Sequence, residues 1–158
     1  MKQLLLICAA VVLVGQSVAD EKLIADPIVE KEVRKRLDKP EGKLTEADLE
    51  KVTKLRFPNT KITDAGLKEV AKLQKLESLY LGNTPITDEG LKEVAKLQKL
   101  KLLNLRRTQI TDVSLKEVAK MQQLEKLLLF GTKTTDEAVA ELRKALPKCI
   151  IEHSHDPN

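Results

Sequence analysis

ITDAGLKEVAKLQKLESLYLGNTP, residues Ile62 to Pro85, is followed without a gap by ITDEGLKEVAKLQKLKLLNLRRTQ, residues Ile86 to Gln109. A third copy, ITDVSLKEVAKMQQLEKLLLFGTK, runs from Ile110 to Lys133. A tandem period of 24 residues is one supersecondary unit stacked on copies of itself. It excludes a globule built around one central cavity and directs attention to extended surfaces.

Each copy has two halves. Thr63-Asp64 is a helix-start signal, because short side-chain oxygens accept from the free amides of a first turn. Leu67, Val70 and Ala71 follow at i, i+3 and i+4, with Lys68, Glu69 and Lys72 on the opposite face. Leu76-Glu77-Ser78-Leu79-Tyr80-Leu81 then alternates as a short strand, with Leu79 and Leu81 inward and Ser78 and Tyr80 outward. Gly82-Asn83-Thr84 ends the strand with turn residues. Leu103/Leu105 and Leu127/Leu129 hold the inward places in the next two copies. One short helix and one strand cannot bury a core alone, so stacking must supply a parallel sheet on one side and a row of helices on the other.

The L-x-x-L-x-L strand, its turn and the I-T-D-x-G-L-K-E helix start resemble the leucine-rich repeat family, most nearly bacterial exported members with short helical repeats. The resemblance covers Leu44 to Ile151. It implies an α/β fold: a short right-handed solenoid, a horseshoe arc with a parallel concave sheet and convex helices. The family often places asparagine after the strand, where this chain has Thr60, Thr84, Thr108 and Thr132. A hydroxyl can also bond the backbone of the turn there. Upstream, Asp26-Pro27 opens a helix carrying Val29, Val33 and Leu37, and Lys39-Pro40-Glu41-Gly42 breaks it. With Leu44 to Leu49 this segment resembles a helical N-terminal cap, which a solenoid needs to cover its first core layer. Val52, Leu55 and Phe57 supply a first strand. Thr135-Asp136 starts a fourth repeat helix, and Leu146, Cys149 and Ile151 fit a last strand, for about five strands in all. The expected division is a signal segment at 1–19, the cap at 20–43, the repeats at 44–153 and a polar tail at 154–158.

The segment 1–19 has Lys2, an apolar run from Leu4 to Val14 and small residues at Ser17 and Ala19. It reads as a secretory signal cleaved after Ala19, with an uncleaved anchor as the rival. Export to the periplasm or beyond is therefore expected. Cleavage leaves Cys149 as the only cysteine, so no intramolecular disulfide is available. It also removes Lys2 and lowers the formal charge of +4 by one. That mild excess favours solubility over nucleic-acid binding. Phe57, Tyr80 and Phe130 are the only aromatics, so platforms for stacking bases are scarce.

Catalytic patterns are missing. The chain has no Gly-rich phosphate loop, no G-x-S-x-G, no H-E-x-x-H and no calcium loop. No enzyme activity, cofactor or metal is expected. His153 and His155 could ligate zinc or copper, but the favoured reading is a frayed polar tail. Cys149 is read as a core residue in a leucine slot. Each Thr-Asp pair is read as capping its own helix.

The copies differ selectively. The first two units disagree at Ala65/Glu89, Glu77/Lys101, Ser78/Leu102, Tyr80/Asn104, Gly82/Arg106, Asn83/Arg107 and Pro85/Gln109. Five of these seven lie at outward strand positions or the strand exit, whereas the helices keep L-K-E-V-A-K even where it is exposed. Chance in a short array would explain this, but a binding surface explains it better, since solenoids use the inner sheet face. The expected partner-binding residues are Arg56, Ser78, Tyr80, Leu102, Asn104, Arg106, Lys126, Leu128 and Phe130. Leu128, Phe130 and Ile150 are expected to form an exposed apolar patch. The function expected is a non-enzymatic protein- or peptide-binding module of the bacterial envelope, monomeric, without nucleic acid and without a membrane span once the signal is removed. The alternatives are a self-associating structural envelope protein and an anion or glycan binder acting through Arg56, Arg106 and Arg107.

Overall fold

The computed structural model describes residues 22–153, so the expected signal segment and polar tail, His155 included, lie outside the described residues. Helices α1 (Pro27–Leu37) and α2 (Glu46–Leu49) precede strand β1 (Lys54–Arg56). Four helix–strand units follow: α3 (Asp64–Val70) and β2 (Ser78–Tyr80), α4 (Asp88–Val94) and β3 (Leu102–Asn104), α5 (Asp112–Val118) and β4 (Lys126–Leu128), α6 (Asp136–Ala145) and β5 (Ile150–Glu152). The five strands form one parallel sheet in sequence order. Among the described residues no helix is long and apolar enough to cross a membrane.

Register follows the period. Leu55, Leu79, Leu103 and Leu127 pair across the sheet and end on Ile151. The four leucines are wholly buried. Each side chain of this size contributes roughly 1.5–3 kcal/mol when removed from water. Three-residue strands are short for a sheet. Pairing therefore continues beyond them, through Phe57 N–H to the Tyr80 carbonyl at 2.8 Å and Asn83 N–H to the Arg106 carbonyl at 2.8 Å. Helix residues Leu67, Leu91 and Leu115 with Val70, Val94 and Val118 close the other side of the same core.

The helix starts hold the repeats together. Thr87, Thr111 and Thr135 are N-caps whose hydroxyls accept from first-turn amides. The aspartates do something other than cap their own helices, which corrects the expectation from sequence. Asp64 accepts from Thr87 N–H at 3.0 Å and from its hydroxyl at 2.6 Å. Asp88 takes the same two bonds from Thr111, and Asp112 from Thr135. Each carboxylate thus clamps the next repeat. Glycine two residues after the next aspartate makes room for it: a Cβ on Gly90, beyond Asp88, would run into Asp64 Oδ1. In α5 the same place is filled by Ser114, whose hydroxyl donates to the Thr111 carbonyl at 2.9 Å.

Turn geometry rests on two columns. Asn59, Asn83, Arg107 and Gly131 all have left-handed φ, near +54 to +67°. Glycine and asparagine adopt this readily, and arginine at considerable strain. The Thr column bonds inside its own turn: the hydroxyls of Thr60, Thr84, Thr108 and Thr132 donate to Phe57, Leu81, Leu105 and Leu129 carbonyls at 2.6–2.9 Å. Threonine therefore serves locally where a longer amide could also reach across.

At the N-terminal end Ile24, Val29, Val33, Leu44 and Leu49 join the repeat core. Helix α1 is capped by Asp26 and has Pro27 at its first position, as the sequence implies. At the other end two expectations fail. Cys149 sits half-buried at the core's margin, because Ile151 takes the leucine place in β5. Burial pushes its thiol up to about 11, which makes it a poor nucleophile. His153 is not part of a frayed tail. Its side chain is 4% exposed, with Nδ1 3.1 Å from Asp136 Oδ1 and Nε2 3.3 Å from the Thr134 carbonyl. It follows the last strand in the place of Leu81, Leu105 and Leu129, and meets the last aspartate of the ladder, which has no further threonine within the described chain.

Candidate binding face on the sheet

Alternation along five in-register strands brings every second side chain to one outward face. Two columns cross it: Lys54, Ser78, Leu102, Lys126 and Ile150, then Arg56, Tyr80, Asn104, Leu128 and Glu152. A third, Pro58, Gly82, Arg106 and Phe130, runs along the strand exits and is held in line by the backbone bonds Asn59 N–H to Gly82, Asn83 N–H to Arg106 and Arg107 N–H to Phe130. All nine residues expected at the binding face therefore share one surface.

Its two ends are organised differently. At the N-terminal end the Lys54 ammonium lies 5.3 Å and the Arg56 guanidinium 4.7 Å from the centre of the Tyr80 ring. Such contacts contribute roughly 0.5–1 kcal/mol at exposed sites. At the C-terminal end the Arg106 guanidinium lies 4.7 Å from the centre of the Phe130 ring. Its Nη2 is 3.2 Å from Glu152 Oε2, and Lys126 Nζ is 2.6 Å from Glu152 Oε1. The Lys126 hydrogen bond leads in holding the Glu152 carboxyl below its ordinary value, with the Arg106 charge adding to it.

This arrangement removes the expected apolar patch. Leu128 is 7% exposed and so belongs to the covered surface. Arg106 leaves the exit of β3 and Glu152 sits on β5, so their link spans β4, where Leu128 points outward. Phe130 is half-buried beneath Arg106, and only Ile150, 63% exposed, remains apolar and open. The flanking charges, and not the leucine itself, form the exposed surface there.

Between the exit loops lies an open groove of about 470 Å³, floored by Gly82 and Asn104 and bounded by Asn83, Arg106, Arg107 and Phe130. Asn104 Oδ1 accepts from Arg106 N–H at 3.1 Å and fixes that turn. Among the described residues no group of three His, Cys, Asp or Glu could hold a metal ion. The polar groups this face presents are guanidinium, ammonium and amide.

The leucine-rich repeat family model matches residues 72–95 and 96–119, two adjacent copies of the period. An internalin from Listeria monocytogenes superposes with a TM-score of 0.64 at 25% identity, over 82% of this chain and 36% of that one. A leucine-rich repeat protein from Leptospira interrogans aligns at 25% identity over 70% of this chain and 34% of its own, with a TM-score of 0.48. The actin-binding site 2 domain of leiomodin-1 shares the fold at 12% identity and a TM-score of 0.53, over 82% of this chain and 78% of that domain. No curated protein matches by sequence. These copies are leucine-rich repeats, and the fold is a short leucine-rich repeat solenoid. The chain spans about a third of the internalin's length.

Proposed function

We propose that this chain is a non-enzymatic binding module that holds a protein or peptide on the concave sheet face. Leucine-rich repeat folds commonly mediate protein binding, which supports the general class. One observation carries the particular face. Differences between the repeats gather on outward strand positions and exits, while the helices keep the same exposed Lys and Glu. The sequence of residues 1–19 supports export to the periplasm or cell surface, with a mature chain beginning at Asp20.

Affinity capture from the exported fraction of the source cell tests this reading. The protein recovers a partner, Tyr80→Ala with Phe130→Ala loses it, and Lys96→Ala on the helix face keeps it. Equal recovery by all three proteins would sink the assignment of the face.

A further inference from the structure

We propose that Lys54, Arg56 and Tyr80 form a docking site for a carboxylate side chain of an acidic segment in a protein partner. This rests on the reading of the sheet face as the binding surface and specifies the partner's chemistry.

The argument begins with a carboxylate that is already bound. At the C-terminal end an arginine lies over an aromatic ring, a lysine stands nearby on the same face, and Glu152 accepts from both cations. The N-terminal end repeats the cationic part of that set. Arg56 lies at the same 4.7 Å from the Tyr80 ring as Arg106 from Phe130, and Lys54 supplies the ammonium. Position 80 shares its column with Glu152, yet it supplies a ring in place of a carboxylate. Among the described residues no acidic side chain pairs with Lys54 or Arg56. Four helix-face lysines, by contrast, are matched within a turn, in Lys72–Glu69, Lys92–Glu89, Lys96–Glu93 and Lys120–Glu117. Glu152 is thus an internal stand-in for the ligand that the N-terminal cluster lacks.

Ring stacking also narrows the partner. A guanidinium held against a ring has lost much of its rotamer freedom before binding and presents its donors in a fixed plane, which suits a carboxylate. The same stacking sets a cation over Tyr80 and over Phe130, the two aromatic rings of this face. Sugars and bases find no open platform there, so an acidic peptide fits better than a polysaccharide or nucleic acid.

Fluorescence anisotropy with a labelled Glu-Gly repeat peptide, and the Gln-Gly peptide as its neutral match, tests the site. The Glu peptide binds and the Gln peptide does not. Lys54→Gln with Arg56→Gln weakens binding about tenfold, as loss of two exposed charge contacts implies. Lys92→Gln with Lys96→Gln removes equal charge from the helix face and leaves binding unchanged. Glu152→Gln frees Arg106 and Lys126 and raises affinity severalfold. The proposal is overturned if the Gln peptide binds equally, if the two double variants weaken binding alike, or if Glu152→Gln has no effect. Alginate displacing the peptide at lower carboxylate concentration than free Glu peptide would also overturn it, in favour of a polysaccharide. Unchanged melting temperatures establish that the variants are folded. Failure of the Glu peptide, with Tyr80→Ala and Phe130→Ala still abolishing partner capture, would remove the acidic chemistry and leave the sheet-face reading standing.

Discussion

The helix side and the sheet side of one repeat solve the same problem of solvated charge in different ways. On the helices, Glu69–Lys72, Glu93–Lys96 and Glu117–Lys120 pair three residues apart, so each of these pairs closes within its own repeat. On the sheet the pairs cross strands: Lys101 with Glu77, then Lys126 and Arg106 with Glu152. A pair inside one repeat works in every repeat, and the same words can be copied along the chain. A pair between repeats depends on which neighbour stands beside it, and sheet residues acquire individual roles. The difference between repetition and variation thus has a physical source as well as a functional reading.

The sharpest break between inside and outside lies within a single strand. Leu103→Ala should cost about 2–5 kcal/mol, because it empties the centre of the buried leucine column. Leu102→Ala, one residue away on the outward face, should cost less than about 1 kcal/mol. Urea midpoints of the two variants measure this, and similar values would contradict the register described.

The clamp between repeats comes next. Asp88→Ala removes two hydrogen bonds to Thr111 and should cost about 2 kcal/mol near neutral pH. Burial pushes the Asp88 carboxyl up, but the Thr111 and Ser114 hydrogen bonds together pull it further down, below its ordinary 3.8. A depressed carboxylate stabilises the fold fully above its unfolded value and loses that contribution as pH falls through the folded one. The stability gap between native protein and Asp88→Ala should therefore narrow below pH of about 4. A gap independent of pH would mean that the carboxylate charge is not what joins the repeats.

The helix-face pairs should matter least. Lys96→Gln should shift stability by no more than about 0.5 kcal/mol, since exposed ion pairs are screened and cost side-chain entropy to hold. A larger loss in thermal unfolding would show that the repeated Lys and Glu do more than keep the helices solvated.

Much of this architecture was legible in the residues. The period, the alternation of Leu79 and Leu81 with Ser78 and Tyr80, and the cap at Asp26-Pro27 all depend on neighbours close in sequence. The aspartates misled for the opposite reason. A Thr-Asp pair at a helix start suits local capping, and nothing within one repeat shows that the carboxylate reaches 23 residues ahead. A signal was present nonetheless, in the glycine two residues beyond each of the first two aspartates. His153 was missed because it looked like part of a polar tail, although counting 24 residues from Leu129 places it in the leucine column. Leu128 was placed on the correct face but misjudged in exposure, since the Arg106–Glu152 pair that spans its strand joins the repeats on either side.

The sequence by itself determined the unit, its number of copies, the residues that face the core and the face on which the repeats diverge. Those properties follow from periodicity and from local backbone preference, which a linear chain displays directly. Tertiary structure alone decided which polar side chains meet. Arg106 with Glu152 and Asp64 with Thr87 are contacts between side chains on different stacked repeats, and His153 meets Asp136 from the far end of the same repeat. Their partners are set by the rise of one repeat on the next, and by where the chain leaves a cation without one.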